Sequence, residues 1–299
     1  SVQSYESYEA LGAAVASGEV DIAELGAAGF AAIVADDPDT ATPLLAPLSP
    51  DGTSAYFSLG ITQKDSGVTI AGLGEASEPV IVGVGNANST SGFLAPFIAL
   101  RGQGIDLLDP PANVSVRFLG SHEAVLQAIA DGEIDLGFTW ARGSADGGWL
   151  SGALPQAVAV GVLTLEDIAL VWQSDPLPNG PIVASSDVPG TSHAALAAAI
   201  EAFTEANPTQ AAEIFGGAYD GLVEVSIDDY QTFIDLELFG PFAAIDGVPT
   251  QGQTLTAIAG LTGIDTFSYQ WKADDTEIFG ATERTFTLTQ AEVGKVITV

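Results

Sequence analysis

Two stretches of the chain place polar side chains where a strand ends and a helix begins. In the first, residues 86–96, Ser89, Thr90 and Ser91 follow an apolar strand and open a predicted helix. Ser and Thr at such a junction cap the helix, and its free N–H groups together with the helix dipole make an anion site. Three consecutive hydroxyls exceed what capping requires. The segment therefore predicts either a plain helix cap or an anion-binding site.

The second stretch, residues 120–124, offers an imidazole in the same setting. Ser121 is the predicted N-cap, and His122 lies in the first turn. The helix terminus disfavours imidazolium, so His122 is expected to be neutral and to donate one hydrogen bond, unless it is an ordinary surface residue.

A catalytic role for these groups is not expected. Ser91 and His122 have the chemistry of a nucleophile and a base, but the sequence identifies no third group to orient them. The acidic residues show no metal-ligand spacing. We therefore predict a protein that is not an enzyme and has no metal or cofactor.

The charge balance of the chain excludes two classes of partner. The 299 residues include 39 acidic and 7 basic side chains, a formal net charge of −32. Nucleic acids and anionic membrane surfaces are bound through clustered Lys and Arg. The longest apolar runs, at 80–84 and 194–200, fall far short of the roughly 18 residues that span a membrane. We expect a soluble protein without membrane insertion, whose acidity is an adaptation to a salty medium.

The chain contains neither cysteine nor methionine. Disulfide bonds and thiolate metal sites are therefore excluded. Because no methionine stands at position 1, we expect the primary translation product to have an upstream segment, such as a cleaved signal peptide. Export from the cytoplasm is compatible with both observations.

A seven-residue pattern occurs twice. Residues 16–22 (ASGEVDI) recur as residues 130–136 (ADGEIDL), each after an apolar-periodic stretch. The pattern predicts a helix that ends at a left-handed glycine, Gly18 or Gly132, and turns directly into a buried strand. Two such units, 114 residues apart, indicate two similar α/β lobes, unless the likeness is chance similarity between common helix-to-strand joints.

The remaining pattern predicts an α/β region followed by an all-β segment. Other strands are predicted at 56–62, 80–85, 114–118, 168–172 and 181–184, and helices at 91–100, 192–205 and 209–215. Strands that alternate with helices favour mostly parallel, helix-covered sheets. From about residue 248, short Thr-rich segments at 254–258, 267–271 and 285–289 are typical of an antiparallel sandwich with Trp271 in its core.

Taken in order, these segments resemble the phosphonate/phosphite substrate-binding proteins of ATP-binding-cassette (ABC) importers. The resemblance covers about residues 1–240 and is carried by residues 88–94, His122 with Glu123, residues 174–178, Tyr8 ahead of the strand at 20–23, and residues 55–58 with 64–66. It implies a two-lobed α/β fold, the type II periplasmic-binding-protein fold. Crossing strands join the two lobes, which close on a ligand in the cleft.

The resemblance implies two lobes. Lobe 1 comprises residues 1–61 and 182–245, and lobe 2 with the anion site comprises residues 62–181. Separately, residues 248–299 resemble a partial immunoglobulin-like β-sandwich of the kind repeated in bacterial secreted and surface proteins, a likeness carried by Trp271 and by residues 278–282 and 291–294. Relatives begin with a strand and a helix ahead of the counterpart of Tyr8, whereas seven residues precede Tyr8 here. Either that element lies outside this sequence or lobe 1 is degenerate.

The ligand contacts that the resemblance implies come from both lobes. The serine and threonine side chains at 89–91, with backbone amides, would hold the phosphonate oxygens, and His122 would add a donor. Tyr8 and Tyr56 would contact the ligand from lobe 1.

Two positions depart from relatives that hold an aminoalkyl-phosphonate through cleft carboxylates. Arg142 stands in the stretch after Asp135, and Gly180 occupies a position near the return crossing where an acid could stand. Arg142, unless it is a solvated surface residue, repels an ammonium group and attracts negative charge. We therefore include Arg142 among the ligand-binding residues and expect phosphite, a simple alkylphosphonate or a ligand with a second anionic group.

These observations predict an extracytoplasmic solute-binding protein, periplasmic or at the cell surface. It would capture a small phosphorus oxyanion and deliver it to an ABC permease. The alternative is a secreted or surface structural, adhesive protein that reuses a binding-protein domain. A continuing array of sandwich repeats without ligand affinity would favour the alternative.

Overall fold

The computed structural model describes residues 5, 8–35, 37–144, 148–234, 242–247, 249–260 and 268–299. The α-helices are α1 (Tyr8–Ala16), α2 (Ala27–Val34), α3 (Ala95–Arg101), α4 (His122–Asp131), α5 (Ala153–Ala159), α6 (His193–Ala206), α7 (Pro208–Ile214) and α8 (Gln231–Ile234). A π-helical turn, Thr90–Leu94, precedes α3, and 3₁₀ turns occur at Ile70–Gly72, Gly190–Ser192, Ile227–Tyr230 and Gln290–Glu292.

The described strands form four sheets. They are β1 (Ile22–Glu24), β2 (Ala41–Pro47), β3 (Ala55–Gln63), β4 (Val80–Val84), β5 (Val114–Phe118), β6 (Leu136–Ser144), β7 (Gly148–Ser151), β8 (Ile168–Gln173), β9 (Leu177–Pro178), β10 (Ile182–Ser185), β11 (Leu222–Glu224), β12 (Phe242–Asp246), β13 (Thr254–Gly260), β14 (Lys272–Ala273), β15 (Thr276–Glu277), β16 (Thr285–Thr287) and β17 (Ile297–Thr298). The predicted α/β region followed by small all-β sheets is confirmed.

The first sheet has the strand order β1-β10-β2-β11 and helices on both faces. Val183 of β10 packs on α1 and α2, in one cluster with Val15 and Phe30. Ala184, the next residue, faces the other side and packs with Ala211 of α7. Successive side chains of a strand point to opposite faces, so the short apolar β10 is buried on both sides.

The second sheet has the order β5-β4-β6-β3-β8, with β7 paired to β6 and β9 paired to β3. On one face Val82 packs against Phe93 and Phe97, which come from the π-helical turn and α3. On the other face Leu59 and Val125 belong to the cluster that joins β3 to α4 and α5. The carboxyl end of β4 and the start of α4 thus meet at one edge of this sheet.

The prediction of mostly parallel sheets is wrong. Among the described strands, β4 pairs in parallel with β5 and β6. β3 runs antiparallel to both β6 and β8, and β10 runs antiparallel to both β1 and β2. Strands β3 and β10, which the chain enters as it passes from one sheet to the other, are thus antiparallel to their neighbours. The local alternation of helices and strands does not reveal which strands do so.

The two predicted helix-to-strand joints are confirmed. Gly18 follows α1 with φ 72°, and Gly132 follows α4 with φ 71°, both in the left-handed region. The Gly132 amide donates to the carbonyls of Ala128 and Ile129, which ends α4. Each joint leads into a strand, β1 or β6.

The predicted division into lobes remains a prediction. β3 crosses the proposed boundary at 61/62, yet all of its pairings lie within the second sheet. The connections from β2 to β3 and from β9 to β10 carry the chain between the two sheets.

The C-terminal segment contains two three-stranded antiparallel sheets, β12-β13-β16 and β15-β14-β17. Trp271 is fully buried in their shared core and donates from Nε1 to the Glu283 carbonyl, at 2.9 Å. The strand predicted at 267–271 is wrong for residues 268–271, which precede β14, while residue 267 lies outside the described residues. The likeness to an immunoglobulin-like repeat remains a prediction.

Candidate functional site

The loop after β4 is held in a tight arch. The Ser89 hydroxyl accepts a hydrogen bond from the Gly92 amide at 3.1 Å, and the Gly85 amide donates to the Gly92 carbonyl at 3.0 Å. A side chain at Gly92 would lie 2.9 Å from Ser89 Oγ and 3.0 Å from His122 Cε1. The predicted helix at 91–100 therefore begins as a π-helical turn, and Pro96 lies in the first turn of α3, where its missing N–H costs no helical bond.

Two further bonds fix this arch between the sheets. The Thr90 hydroxyl accepts from the Ala28 amide at 2.9 Å, at the start of α2. The Ser58 hydroxyl donates to the Ser91 carbonyl at 2.6 Å. Ser91 is 4% exposed, and its own hydroxyl has no partner among the described residues. The arch is thus rigid and presents one uncommitted hydroxyl to the neighbouring cavity.

His122 is the first residue of α4 and approaches the arch from the neighbouring strand–helix junction. Ser121 caps the helix by accepting from the Ala124 amide at 3.1 Å, as predicted. His122 Nε2 lies 3.3 Å from Ser89 Oγ, and its Nδ1 is buried without a hydrogen-bond partner within the described part of the chain. Burial lowers the pKa of His122 from 6.5 to about 4, against the opposing effect of Glu123. The imidazole is therefore neutral at physiological pH, and burial rather than the helix terminus is the main cause.

Arg142 is a buried residue, so its reading as a solvated surface side chain is wrong. It is 5% exposed on β6 and donates from Nε to Asn179 Oδ1 at 3.1 Å and from Nη1 to the Phe215 carbonyl at 2.8 Å. The guanidinium carbon lies 4.9 Å from the centre of the Trp140 ring. These contacts hold a positive charge against an aromatic face at one end of the cavity.

Glu24 is a carboxylate that the sequence interpretation missed. It ends β1, where Ala23 and Leu25 point into the core and Glu24 points the other way. A side chain at Gly180 would clash with the Leu25 carbonyl and lie 3.0 Å from Glu24 Oε1. A carboxyl group thus lies beside position 180, although residue 180 itself is a glycine. A charged residue at the end of a short apolar strand, two positions before Gly26, was the available signal.

These groups converge on one cavity of about 170 Å³. It is lined by Glu24, Gly26, Tyr56, Asn88, Ser89, Thr90, Ser91, His122, Trp140, Arg142, Asn179, Gly180, Ile214, Phe215 and Gly216. The volume is below the roughly 300–1,000 Å³ of pockets for drug-sized ligands, and suits a small ion.

Of the two predicted tyrosines, the structure describes the side chain of Tyr56 but not that of Tyr8. Tyr56 is 8% exposed, lines the cavity and meets the Trp140 ring edge-on with 5.6 Å between centroids. Tyr8 is the first residue of α1, but its side chain lies outside the described residues.

A larger hollow of about 800 Å³ lies beside β1, between α1 and the pair α6 and α7. Its lining is chiefly apolar and includes Leu11, Ile200 and Phe203, although Glu24, Thr204, Gln210 and Glu213 also line it. The smaller cavity brings hydroxyl, imidazole and guanidinium groups together, so it is the candidate site.

Comparison with known families identifies the proteins to which this chain is related. A family model described as "ABC transporter, phosphonate, periplasmic substrate-binding protein" matches residues 1–230. The chain belongs to this phosphonate-binding family. Membership supports a solute-binding role in transport and an extracytoplasmic location, and the family is generally non-enzymatic.

Solved structures share the type II binding-protein fold. A binding-protein component of an ABC phosphonate transporter from Pseudomonas aeruginosa has a TM-score of 0.61 at 20% identity, and the match covers 78% of this chain and 72% of that chain. A methylphosphonate complex of a binding protein from Prochlorococcus marinus has a TM-score of 0.61 at 16% identity, covering 79% and 84%. The aliphatic sulphonate binding protein from Escherichia coli has a TM-score of 0.52 at 14% identity, covering 79% and 75%.

Two further properties of the described residues bear on other functions. No described helix has the length and apolarity needed to cross a membrane. The same residues contain no group of three or more His, Asp or Glu side chains placed to hold a metal ion.

Proposed function

We propose that this phosphonate-binding-family protein captures a small phosphorus oxyanion, phosphite or a simple alkylphosphonate, and delivers it to an ABC permease. The observation that carries the proposal is the convergence of hydroxyls, a neutral imidazole and one buried guanidinium on a 170 Å³ cavity. Hydrogen bonds to a charged group contribute roughly 1.5–3 kcal/mol each. Four or five of them, less the cost of association, correspond to roughly micromolar to nanomolar affinity.

The proposed contacts come from both sides of the cavity. Ser91 and His122 would donate to the oxyanion from the second sheet, and Arg142 would balance its charge. Tyr56 and Tyr8 remain proposed contacts. A ligand that bridges elements of both sheets favours their closure, because it interacts more strongly with the closed state than with the open one.

Arg142 also supports the choice of ligand class. Its fixed guanidinium disfavours an ammonium group in the same small cavity, which argues against aminoethyl-phosphonate.

Calorimetric titration at high salt tests the proposal. The probes are phosphite, methylphosphonate, aminoethyl-phosphonate, phosphate and sulfate, applied to the wild type and to the double variant Ser91→Ala, His122→Ala. We expect tight binding of phosphite or methylphosphonate and a loss of at least about 100-fold in the double variant, since two charge-directed hydrogen bonds are removed.

The chain offers a matched control pair. Ser115, exposed on β5, and His193, at the start of α6, both lie outside the cavity. The double variant Ser115→Ala, His193→Ala should bind as the wild type does. Silence from every anion in a folded wild-type protein would overturn the proposal and favour the structural, adhesive alternative.

A further inference from the structure

Glu24 is placed as a ligand contact rather than as a structural acid. It lines the same cavity as Ser91, His122 and Arg142. Within the described part of the chain its carboxyl group makes neither a hydrogen bond nor a salt bridge. A carboxyl group without a protein partner that lines the candidate site is free to bond a ligand there.

The surroundings of Glu24 favour its neutral form. Its side chain is half-buried and lines both this cavity and the larger hollow beside β1. This burial raises the pKa of Glu24 from 4.5 to about 7, although Arg142 acts in the opposite direction.

Among the described groups that line this cavity, Glu24 is the one whose charge changes near neutrality. Arg142 stays positive on β6, and burial keeps His122 neutral above about pH 4. Tyr230 donates its hydroxyl to the Asn179 carbonyl, and burial raises its pKa further from neutrality. Tyr56, whose side chain carries a phenol hydroxyl, also lines this cavity.

We propose that Glu24 is a specificity-determining residue whose neutral carboxyl group donates a hydrogen bond to the bound oxyanion, so that binding takes up a proton at Glu24. The inference rests on the proposed function of this same cavity. An ionised Glu24 would instead place a negative charge beside the anion and repel it. The ligand therefore selects the protonated carboxyl group and raises its proton affinity further.

The consequence is a receptor that binds more tightly at lower pH. Above the pKa of Glu24 in the free protein, the affinity of the wild type should fall by up to about tenfold per pH unit, because one proton must be bound with each ligand. Ionisation of the ligand itself adds its own pH dependence, which is the same for every variant.

Glu24→Gln separates the two contributions, because Gln keeps the shape, donates through its amide and stays neutral. The experiment is calorimetric titration of wild type and variant with methylphosphonate and phosphite, at about pH 6 and about pH 8.5, in two buffers of different ionisation enthalpy. We expect similar affinities at the lower pH and at least about tenfold tighter binding by Glu24→Gln at the higher pH. We also expect the wild type to take up more protons than the variant at the higher pH.

Glu166→Gln is the matched control, since it removes the same charge from an exposed position that lines neither this cavity nor the larger hollow beside β1. It should keep the pH dependence of the wild type. Equal pH dependence and equal proton uptake in wild type and Glu24→Gln would overturn the inference and leave the proposed function standing. Loss of binding in a folded Glu24→Gln at both pH values would also overturn it, because the ligand would then need an ionised acceptor. No binding by any of these proteins would overturn the proposed function itself.

Discussion

Asn179 shows how single residues set the electrostatics of the cavity. Its Oδ1 accepts from Arg142 Nε at 3.1 Å, its Nδ2 donates to the Pro47 carbonyl at 2.7 Å, and its own carbonyl accepts from the Tyr230 hydroxyl at 3.0 Å. The residue is 1% exposed. It therefore joins the end of β2, β6 and the 3₁₀ turn before α8, and fixes the guanidinium where a ligand can reach it. Rigid support of this kind reduces the ordering cost of binding.

The buried imidazole gives a residue-scale prediction about stability. Because the pKa of His122 is about 4 in the folded protein and 6.5 as its ordinary value, the unfolded chain binds more protons between these pH values. The free energy of unfolding should therefore fall as the pH falls from 6.5 towards 4. In His122→Gln this part of the slope should be missing when urea unfolding is compared between about pH 7 and about pH 5.

The raised pKa of Glu24 changes the free energy of unfolding in the opposite direction between about pH 4.5 and 7. Wild type and His122→Gln share this effect. Ser91→Ala, which removes no titrating group from the cavity, is the control and should keep the wild-type slope. Identical slopes in wild type and His122→Gln would show that the imidazole is not held neutral by burial.

At the scale of elements, the site depends on how helices end and strands begin. The arch after β4 and the first turn of α4 meet at one sheet edge because β4 pairs in parallel with both β5 and β6. The left-handed Gly132 ends α4 and lets the chain enter β6, which carries Trp140 and Arg142 into the cavity. A substitution at this joint should therefore change the free energy of unfolding and, through β6, the geometry of the site.

Two glycine substitutions make this prediction specific. Gly132→Ala forces an alanine into a left-handed conformation and should lower the free energy of unfolding by about 1–2 kcal/mol. Gly29→Ala lies within α2, where an added methyl group meets nothing within 4 Å, and should raise it by about 0.5–1 kcal/mol. Urea unfolding measures both. A stabilised Gly132→Ala would contradict the assigned helix end.

At the scale of the whole molecule, a strongly acidic chain holds an anion. The net charge is −32, and the described residues contain two salt bridges, Arg101 with Asp106 and Arg117 with Glu133, at 3.5 and 3.7 Å. Most carboxylates are therefore unpaired. Their field is screened within about 10 Å at 0.1 M salt and about 3 Å at 1 M, whereas the donors of the cavity act at contact.

This balance predicts an unusual salt dependence of capture. Long-range repulsion should slow the approach of methylphosphonate at low salt, so its association rate constant should rise as salt is added. Stopped-flow measurements from about 0.1 M to about 1 M sodium chloride test the point, with sucrose at matched osmolarity as a control that leaves the charges unscreened. A rate constant that falls with salt would contradict the electrostatic account.

Much of the fold and part of the site followed from local patterns in the sequence. Gly18 and Gly132 mark real helix ends, and the strand at Val114–Phe118 has the predicted bounds. Strand direction did not follow, because it depends on pairing between distant segments. The predicted strand ahead of Trp271 failed for a similar reason. The Trp271 amide donates to the Ala281 carbonyl, and the Trp271 carbonyl accepts from the Ile278 amide. These backbone groups therefore do not join a strand ladder.

What the sequence by itself determined is the class of chemistry: hydroxyls at 89–91 and an imidazole at His122 at strand–helix junctions, where the backbone geometry is a local property. Only the tertiary structure decided which charges share the cavity. Arg142 is buried by Asn179 and Phe215, and Glu24 reaches the site because β1 pairs with β10 beside Gly180. The segments concerned are separated by up to about 190 residues of chain. Their electrostatic coupling therefore exists only once the chain has folded.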